Sequence, residues 1–320
     1  MVFASIVVFL GLAMLVWGSE RFVVGASATA RNLGVSPLLI GLTFVGIGTS
    51  APEIFVSAMA SLNGNPGVSI GNAIGSNIAN IGLVIGVTAM VAPLTVRSHT
   101  LKREFVIMFL VVLLAAALLW DNSLTRVDGG ILMCGFLGLM GLMCVIAFHA
   151  RRQDPLGSEF EQEIPREMHT LAALMWLLLG LVVLVISSRM IVWGAVEIAR
   201  ILGVSDLVIG LTIVAVGTSL PELAASVMSA FKGEPDIAIG NVIGSNMFNL
   251  LPVLALPGLI APGSIPTEVM GRDYPIMFVL CIALFVTAYG FKGPGRINRF
   301  EGFALLLAFF GYQGWLYVNA

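Results

Sequence analysis

Apolar runs long enough to cross a bilayer recur from one end of this chain to the other, and they leave no room for a water-soluble domain. Ten can be counted, at roughly 3–30, 37–62, 69–92, 104–121, 127–149, 170–199, 206–231, 236–261, 273–291 and 299–318. With 58% hydrophobic and only 11% charged residues, the 320-residue chain reads as an all-α polytopic membrane protein of ten transmembrane helices. The net charge of −2, with basic residues scattered over short loops, gives no footprint for nucleic acid. Cations and the lipid bilayer are the expected partners, with no obligatory protein partner. The first run has no Lys or Arg before it and continues into a long helix, so a retained span is expected rather than a cleaved signal. Cys134, Cys144 and Cys281 have no paired Cys or nearby His and are expected to be small core residues.

Sliding the sequence along itself by 169 residues aligns 19–93 with 188–262 without a gap, and 36 of 75 positions are identical. "ARNLGVSPLLIGLT" meets "ARILGVSDLVIGLT", "GTSAPE" meets "GTSLPE", and "IGNAIGSNIANIG" meets "IGNVIGSNMFNLL". Helix packing alone would preserve small residues, not a Glu, a Ser and several Asn at fixed offsets. Each copy holds five spans, and an odd number makes the second copy enter the membrane from the opposite side. The expected organisation is a first five-helix repeat over 1–149, a polar cytoplasmic linker over 150–169, and a second, inverted repeat over 170–320.

Basic residues set the expected orientation. With the N-terminus outside, Arg31, Arg97, Lys102, Arg103, Arg151, Arg152, Arg166, Lys232, Lys292, Arg296 and Arg299 fall on the cytoplasmic side, against Arg126, Arg200 and Arg272 outside. Arg21 and Arg189 lie inside the long first and sixth spans and are undecided. A multi-pass protein of a prokaryotic inner membrane with both termini external is the expectation.

The second and seventh spans are interrupted by Gly-Thr-Ser-x-Pro-Glu. Proline lacks an amide hydrogen and clashes with the preceding turn, so each span should break just before Pro52 and Pro221, freeing carbonyls near Gly46 and Ala215. An ionised Glu near the bilayer centre costs roughly 2.5–3.5 kcal/mol, and such side chains face a cavity or an ion path. Glu53 and Glu222 would also repel each other. The sequence has few basic residues to pair with them, so an exchangeable cation is the expected counter-charge. Hydroxyls of Thr49, Ser50, Ser76, Thr218, Ser219 and Ser245, the amides of Asn80 and Asn249, and the carbonyls of Gly46 and Ala215 would complete an all-oxygen site suited to hard cations. Gly71, Gly75 and Ser76 lie nearly on one face of the third span and should permit close helix contact.

At these motifs the chain resembles the calcium/cation antiporter superfamily, most closely the prokaryotic sodium/calcium exchangers. The pairs "GTSAPEIFVSAMA"/"GTSLPELAASVMSA" and "GNAIGSNIANIG"/"GNVIGSNMFN" are similar to the two α-repeats of that family. The resemblance implies ten helices in two inverted halves and four cation sites clustered at the midplane between helices two, three, seven and eight. It makes Glu53 and Glu222 the central ligands and helices one and six the elements that slide. Several relatives carry Asp where this chain has Asn249, matching Asn80, so one negative charge is missing from the site. Pro252 and Pro257 occur in span eight but not in span three, so the halves need not bend alike.

The function these features point to is secondary active exchange of calcium for sodium by alternating access, with no cofactor. Proton- or potassium-coupled exchange, and more remotely a cation channel, are the alternatives. An intramembrane enzyme lacks support: there is no HExxH, no GxSxG and no His beside Ser or Glu within a span.

Overall fold

The computed structural model describes residues 1–34, 37–96, 101–150, 168–202, 215–289 and 295–319. The expectations for Arg97 and for most of the linker fall outside these residues. Helix covers the described part of every predicted span. The helices are α1 (Val2–Leu33), α2 (Gly41–Thr49), α3 (Ala51–Leu62), α4 (Pro66–Val91), α5 (Leu101–Leu119), α6 (Arg126–Ala150), α7 (Thr170–Ile201), α8 (Ala215–Thr218), α9 (Leu220–Phe231), α10 (Pro235–Ile260), α11 (Val269–Ala288) and α12 (Arg299–Asn319). Six of them are each apolar and long enough to cross a bilayer, and the bent pair α2 and α3 makes a seventh. The protein is an all-α, multi-pass membrane protein.

Local chemistry explains where these helices begin and end. Gly34 closes α1 in the left-handed conformation, φ 64° and ψ 36°. Gly64 and Gly233, at φ 74° and 77°, turn the chain between α3 and α4 and between α9 and α10. Proline sits in the first turn of α3, α4, α9 and α10, where its missing N–H costs nothing. Reciprocal side-chain caps start α6 and α12. Thr125 N–H donates to Asp128 Oδ2 at 2.8 Å while Asp128 N–H donates to Thr125 Oγ1, and Asn298 and Glu301 do the same at 2.7 and 3.0 Å.

The two longest helices, α1 and α7, lie together and run antiparallel. Gly11 faces Ile191, Gly18 faces Val183 and Gly25 faces Leu177, so rising numbers on one helix meet falling numbers on the other. The contacts also exchange between copies. Gly11 meets Ile191 as Gly180 meets Phe22, and Gly25 meets Leu177 as Gly194 meets Val8; each residue of the second pair is its counterpart in the first, displaced by 169. Such reciprocity is the relation a two-fold axis produces. Arg21, between these helices, stacks over Trp176 and Trp17 at 4.9 and 5.8 Å from the ring centroids.

Helices α4 and α10 form the enclosed centre, flanked by α6 on α10 and α12 on α4. Glycines again set the approach: a Cβ on Gly129 would lie 2.9 Å from the Ala255 carbonyl oxygen, and one on Gly302 2.8 Å from that of Gly86. Gly244 lies against the backbone of Leu42, the close contact expected of this face, while Leu211, the counterpart of Leu42, falls outside the described residues. Two short antiparallel pairings tie the loops: β1 (Leu94–Val96) with β4 (Gly295–Ile297), and β2 (Ser123–Leu124) with β3 (Gly263–Ser264).

Two expectations are corrected here. Only Cys281 is a core residue; Cys134 and Cys144 are exposed, because α6 is peripheral and presents them on its outer surface. The prolines of span eight do not set its bend apart from span three. Both α4 and α10 widen into a π turn, at Asn80–Ile85 and Asn249–Val253, and Pro252 sits inside the second of these without having caused the pattern.

Candidate cation site

Both expected breaks are present. Ser50 separates α2 from α3 at φ −80° and ψ 4°, bending the span by 46°, and Ser219 separates α8 from α9 at φ −87° and ψ 6°. Each break starts a new helix with Pro at its second position and Glu at its third. Glu53 and Glu222 therefore stand in the first turn, where unpaired amides favour negative charge.

Both side chains are 1% exposed, and Oε2 of each is buried with no hydrogen-bond partner. Ser50 Oγ reaches from the first half to Glu222 Oε1 at 3.5 Å, and the two carboxylates lie close enough for their charges to interact. Neither is ion-paired among the described residues. Arg21 is held by the Trp rings, and Arg189 is exposed with its guanidinium 5.0 Å from the Phe55 ring.

Thr49 is fully buried at the crossing of the halves. Its Oγ1 lies 3.0 Å from Asn241 Oδ1, 3.1 Å from the Val45 carbonyl oxygen and 3.4 Å from Ser245 Oγ, and its single proton serves one of these at a time. Ser76 and Ser245 are buried, as is Ser219, whose Oγ has no partner. Thr218 is half-buried and stands apart from the direct contacts that join Ser50, Thr49, Ser245 and Glu222.

The carbonyls differ between the copies. At Gly46 the oxygen is not freed: it accepts the Ser50 N–H at 3.1 Å, because the break falls one residue after Thr49 and the last helical bond survives. A carbonyl has two lone pairs, so one remains for a ligand. In the second copy the Ser219 N–H bonds Val216 at 3.2 Å, one residue short of Ala215.

The amides at Asn80 and Asn249 are oriented by residues that the sequence reading left without a role. Asn80 Nδ2 donates to Asn246 Oδ1 at 3.2 Å, and Asn249 Nδ2 donates to Asn77 Oδ1 at 3.0 Å, the same bond with the halves exchanged. Asn77 Nδ2 is itself fixed on the Asn246 carbonyl at 3.2 Å. Spending both amide nitrogens this way leaves Asn80 Oδ1 and Asn249 Oδ1 buried and unpartnered. Asn72 and Asn241 brace the acidic segments: each donates to the carbonyl of its own Glu, at 3.1 and 3.3 Å, and to Ser57 or Ser226. The signal for all four was present, since each lies in the repeated Gly-Asn-x-Ile-Gly-Ser-Asn motif at identical offset.

Five buried oxygens thus lack any donor: Glu53 Oε2, Glu222 Oε2, Asn80 Oδ1, Asn249 Oδ1 and Ser219 Oγ. Buried acceptors without partners are costly, and a set made only of oxygens matches the ligand preference of hard cations. Among the described residues no group of three His, Cys, Asp or Glu side chains could hold a metal, so neutral oxygens must supply most of any coordination here.

Comparison with known proteins follows the same lines. The family model described as sodium/calcium exchanger protein matches residues 3–145 and 172–318. The chain is 50% identical over 313 residues to the putative antiporter CaxA of Alkalimonas amylolytica, covering 98% of each. It is 32% identical to the sodium/calcium exchanger MaX1 of Methanosarcina acetivorans, covering 96% of each, and 42% identical to the inner membrane protein YrbG of Escherichia coli, covering 88% of this chain and 87% of that one. Among solved structures it is similar to the sodium-calcium exchanger NCX_Mj soaked with sodium and strontium, with a TM-score of 0.81, 33% identity and 97% of each chain covered. A chain whose sequence matches on both sides of its linker, and whose helices follow a solved exchanger nearly end to end, belongs to the sodium/calcium exchanger protein family, a family of secondary transporters.

Proposed function

We propose that this antiporter exchanges calcium for sodium across a prokaryotic inner membrane by alternating access, through one pocket shared by both ions. Glu53 and Glu222 are its central ligands, with oxygens from Thr49, Ser50, Ser76, Asn80, Thr218, Ser219, Ser245 and Asn249 and the carbonyls of Gly46 and Ala215 around them. The observation that carries this reading is the set of unpartnered buried oxygens contributed by both halves, two of them carboxylate.

Two carboxylates neutralise one divalent ion or hold the sodium ions that replace it, and because both cargoes need the same acids, loading one excludes the other. That competition couples the fluxes, provided the two facing states differ in their preference for the ions. The reciprocal contacts of α1 with α7, and of Asn80 and Asn249 with Asn246 and Asn77, support two halves related by an axis in the membrane plane, over 1–149 and 170–320. The distribution of Lys and Arg supports external termini and a cytoplasmic linker at 150–169.

The test is calcium uptake into vesicles driven by a sodium gradient, with potassium and pH varied in separate arms. Wild-type protein should accumulate calcium only with the sodium gradient, and Glu53→Gln and Glu222→Gln should each abolish uptake. Uptake that follows a pH gradient without sodium, or that survives both substitutions, overturns the reading.

A further inference from the structure

The hydrogen bonds beside the two carboxylates match in the two halves for one helical turn and then diverge. Glu53, Ser57 and Ser61 succeed one another at four-residue spacing on α3, all buried, and so share one face. Asn72 bonds the Glu53 carbonyl and the Ser57 hydroxyl, and Ser57 Oγ donates to the Ser69 carbonyl on α4 at 3.3 Å. In the second half Asn241 treats Glu222 and Ser226 in the same way. There the polar column stops, because the positions equivalent to Ser61 and Ser69 are Ala230 and Ala238. In the first half it continues: Ser61 is 2% exposed and Ser69 0%, and neither Oγ has a hydrogen-bond partner.

A buried serine in a helix ordinarily satisfies its hydroxyl on the carbonyl one turn back, as Ser229 does on Ala225 at 2.8 Å. Ser61 and Ser69 do not. An unmade buried hydrogen bond lowers stability, and alanine, which the second half carries at the same places, would remove that cost. The geometry points to an accessory subsite here: the hydroxyls of Ser61 and Ser69, beside Ser57 and Asn72, hold a partly hydrated hard cation, sodium or calcium, between Glu53 and the turn at Asn63–Asn65.

The inference rests on the proposed exchange, in which Glu53 binds the transported ion. It makes the two faces of the membrane unequal. An ion arriving past the α3–α4 turn meets two hydroxyls before the carboxylates, whereas one arriving past the equivalent turn meets Ala230, Ala238 and the cationic Lys232, which replaces Asn63.

The experiment titrates calcium, and in a second arm sodium, on one face at a time in right-side-out and everted membrane vesicles. Ser61→Ala with Ser69→Ala should raise the half-saturating concentration on the α3–α4 turn face by roughly five-fold, the effect of losing a ligand hydrogen bond. The opposite face and the saturated rate should not change. The arm that shifts identifies the ion. Each single substitution gives the same one-sided shift in smaller measure, should the double variant be lost from the membrane. No shift on either face, or equal shifts on both, overturns the subsite, whereas absence of sodium-driven uptake in the wild type would instead overturn the exchange.

Discussion

Asn246 offers a sharp test of how the pocket is held, because its side chain touches the site only through another residue. Asn246→Ala removes the oxygen that accepts Asn80 Nδ2 at 3.2 Å while keeping the backbone carbonyl that fixes Asn77. The Asn77–Asn249 arm should therefore survive intact. Asn80 is 1% exposed, so its amide loses its partner with no water to replace it. The stability cost should fall near the lower end of the ~1–3 kcal/mol expected for a buried orphan, since Asn246 Nδ2 is already unpartnered and its removal recovers part of the loss. For binding, Asn80 Oδ1 loses its fixed direction, and one neutral ligand contact of ~1 kcal/mol corresponds to roughly five-fold weaker calcium affinity. The assay is a double-mutant cycle of calcium half-saturation with Asn80→Ala. If Asn246 acts through Asn80, the double variant matches Asn80→Ala alone. Additive losses, or unchanged affinity in a folded Asn246→Ala, would refute the positioning role.

Other consequences are more direct. A Cβ on Gly180 would meet the Phe22 backbone at 2.5 and 2.6 Å, so Gly180→Ala must part α1 from α7 by about 1 Å and should cost ~1–3 kcal/mol, read as a lower melting temperature in detergent. Gly138→Ala, where the space is open, should not lower it. Lys232 and Glu20 form an exposed ion pair at 3.0 Å between α9 and α1. Neutralising either should change exchange rate by no more than about five-fold, and neutralising both should add nothing further, as a flux cycle will show. Calcium at a hundred times its dissociation constant should stabilise the wild type by ~2.7 kcal/mol, and Glu53→Gln or Glu222→Gln should erase that gain in a thermal shift measurement.

Much of the molecule was legible from its letters because bilayer physics leaves few options. Apolar runs of sufficient length must be helices, proline must interrupt them, and a carboxylate repeated inside such runs must find a counter-charge. Gly34, Gly64 and the Thr125–Asp128 box marked the ends of elements by chemistry local to a few residues. Roles that depend on residues far apart in sequence were not legible in that way. Asn77 and Asn246 look interchangeable with Asn80 and Asn249 in the motif, and only their placement across the interface makes one pair holders and leaves the other with free oxygens.

By itself, then, the sequence determined the span pattern, the duplication and the identity of the two acids, since each follows from solvation or from self-similarity along the chain. Tertiary structure decided the rest: that Ser50 of one half reaches Glu222 of the other, that Gly46 keeps its helical donor, that Cys134 and Cys144 face outward, and that Ser61 and Ser69 stay unsatisfied. The reason is physical. Hydrophobicity and helix breaking act along the chain, whereas the partner of a buried polar atom is fixed by which helix lies across from it.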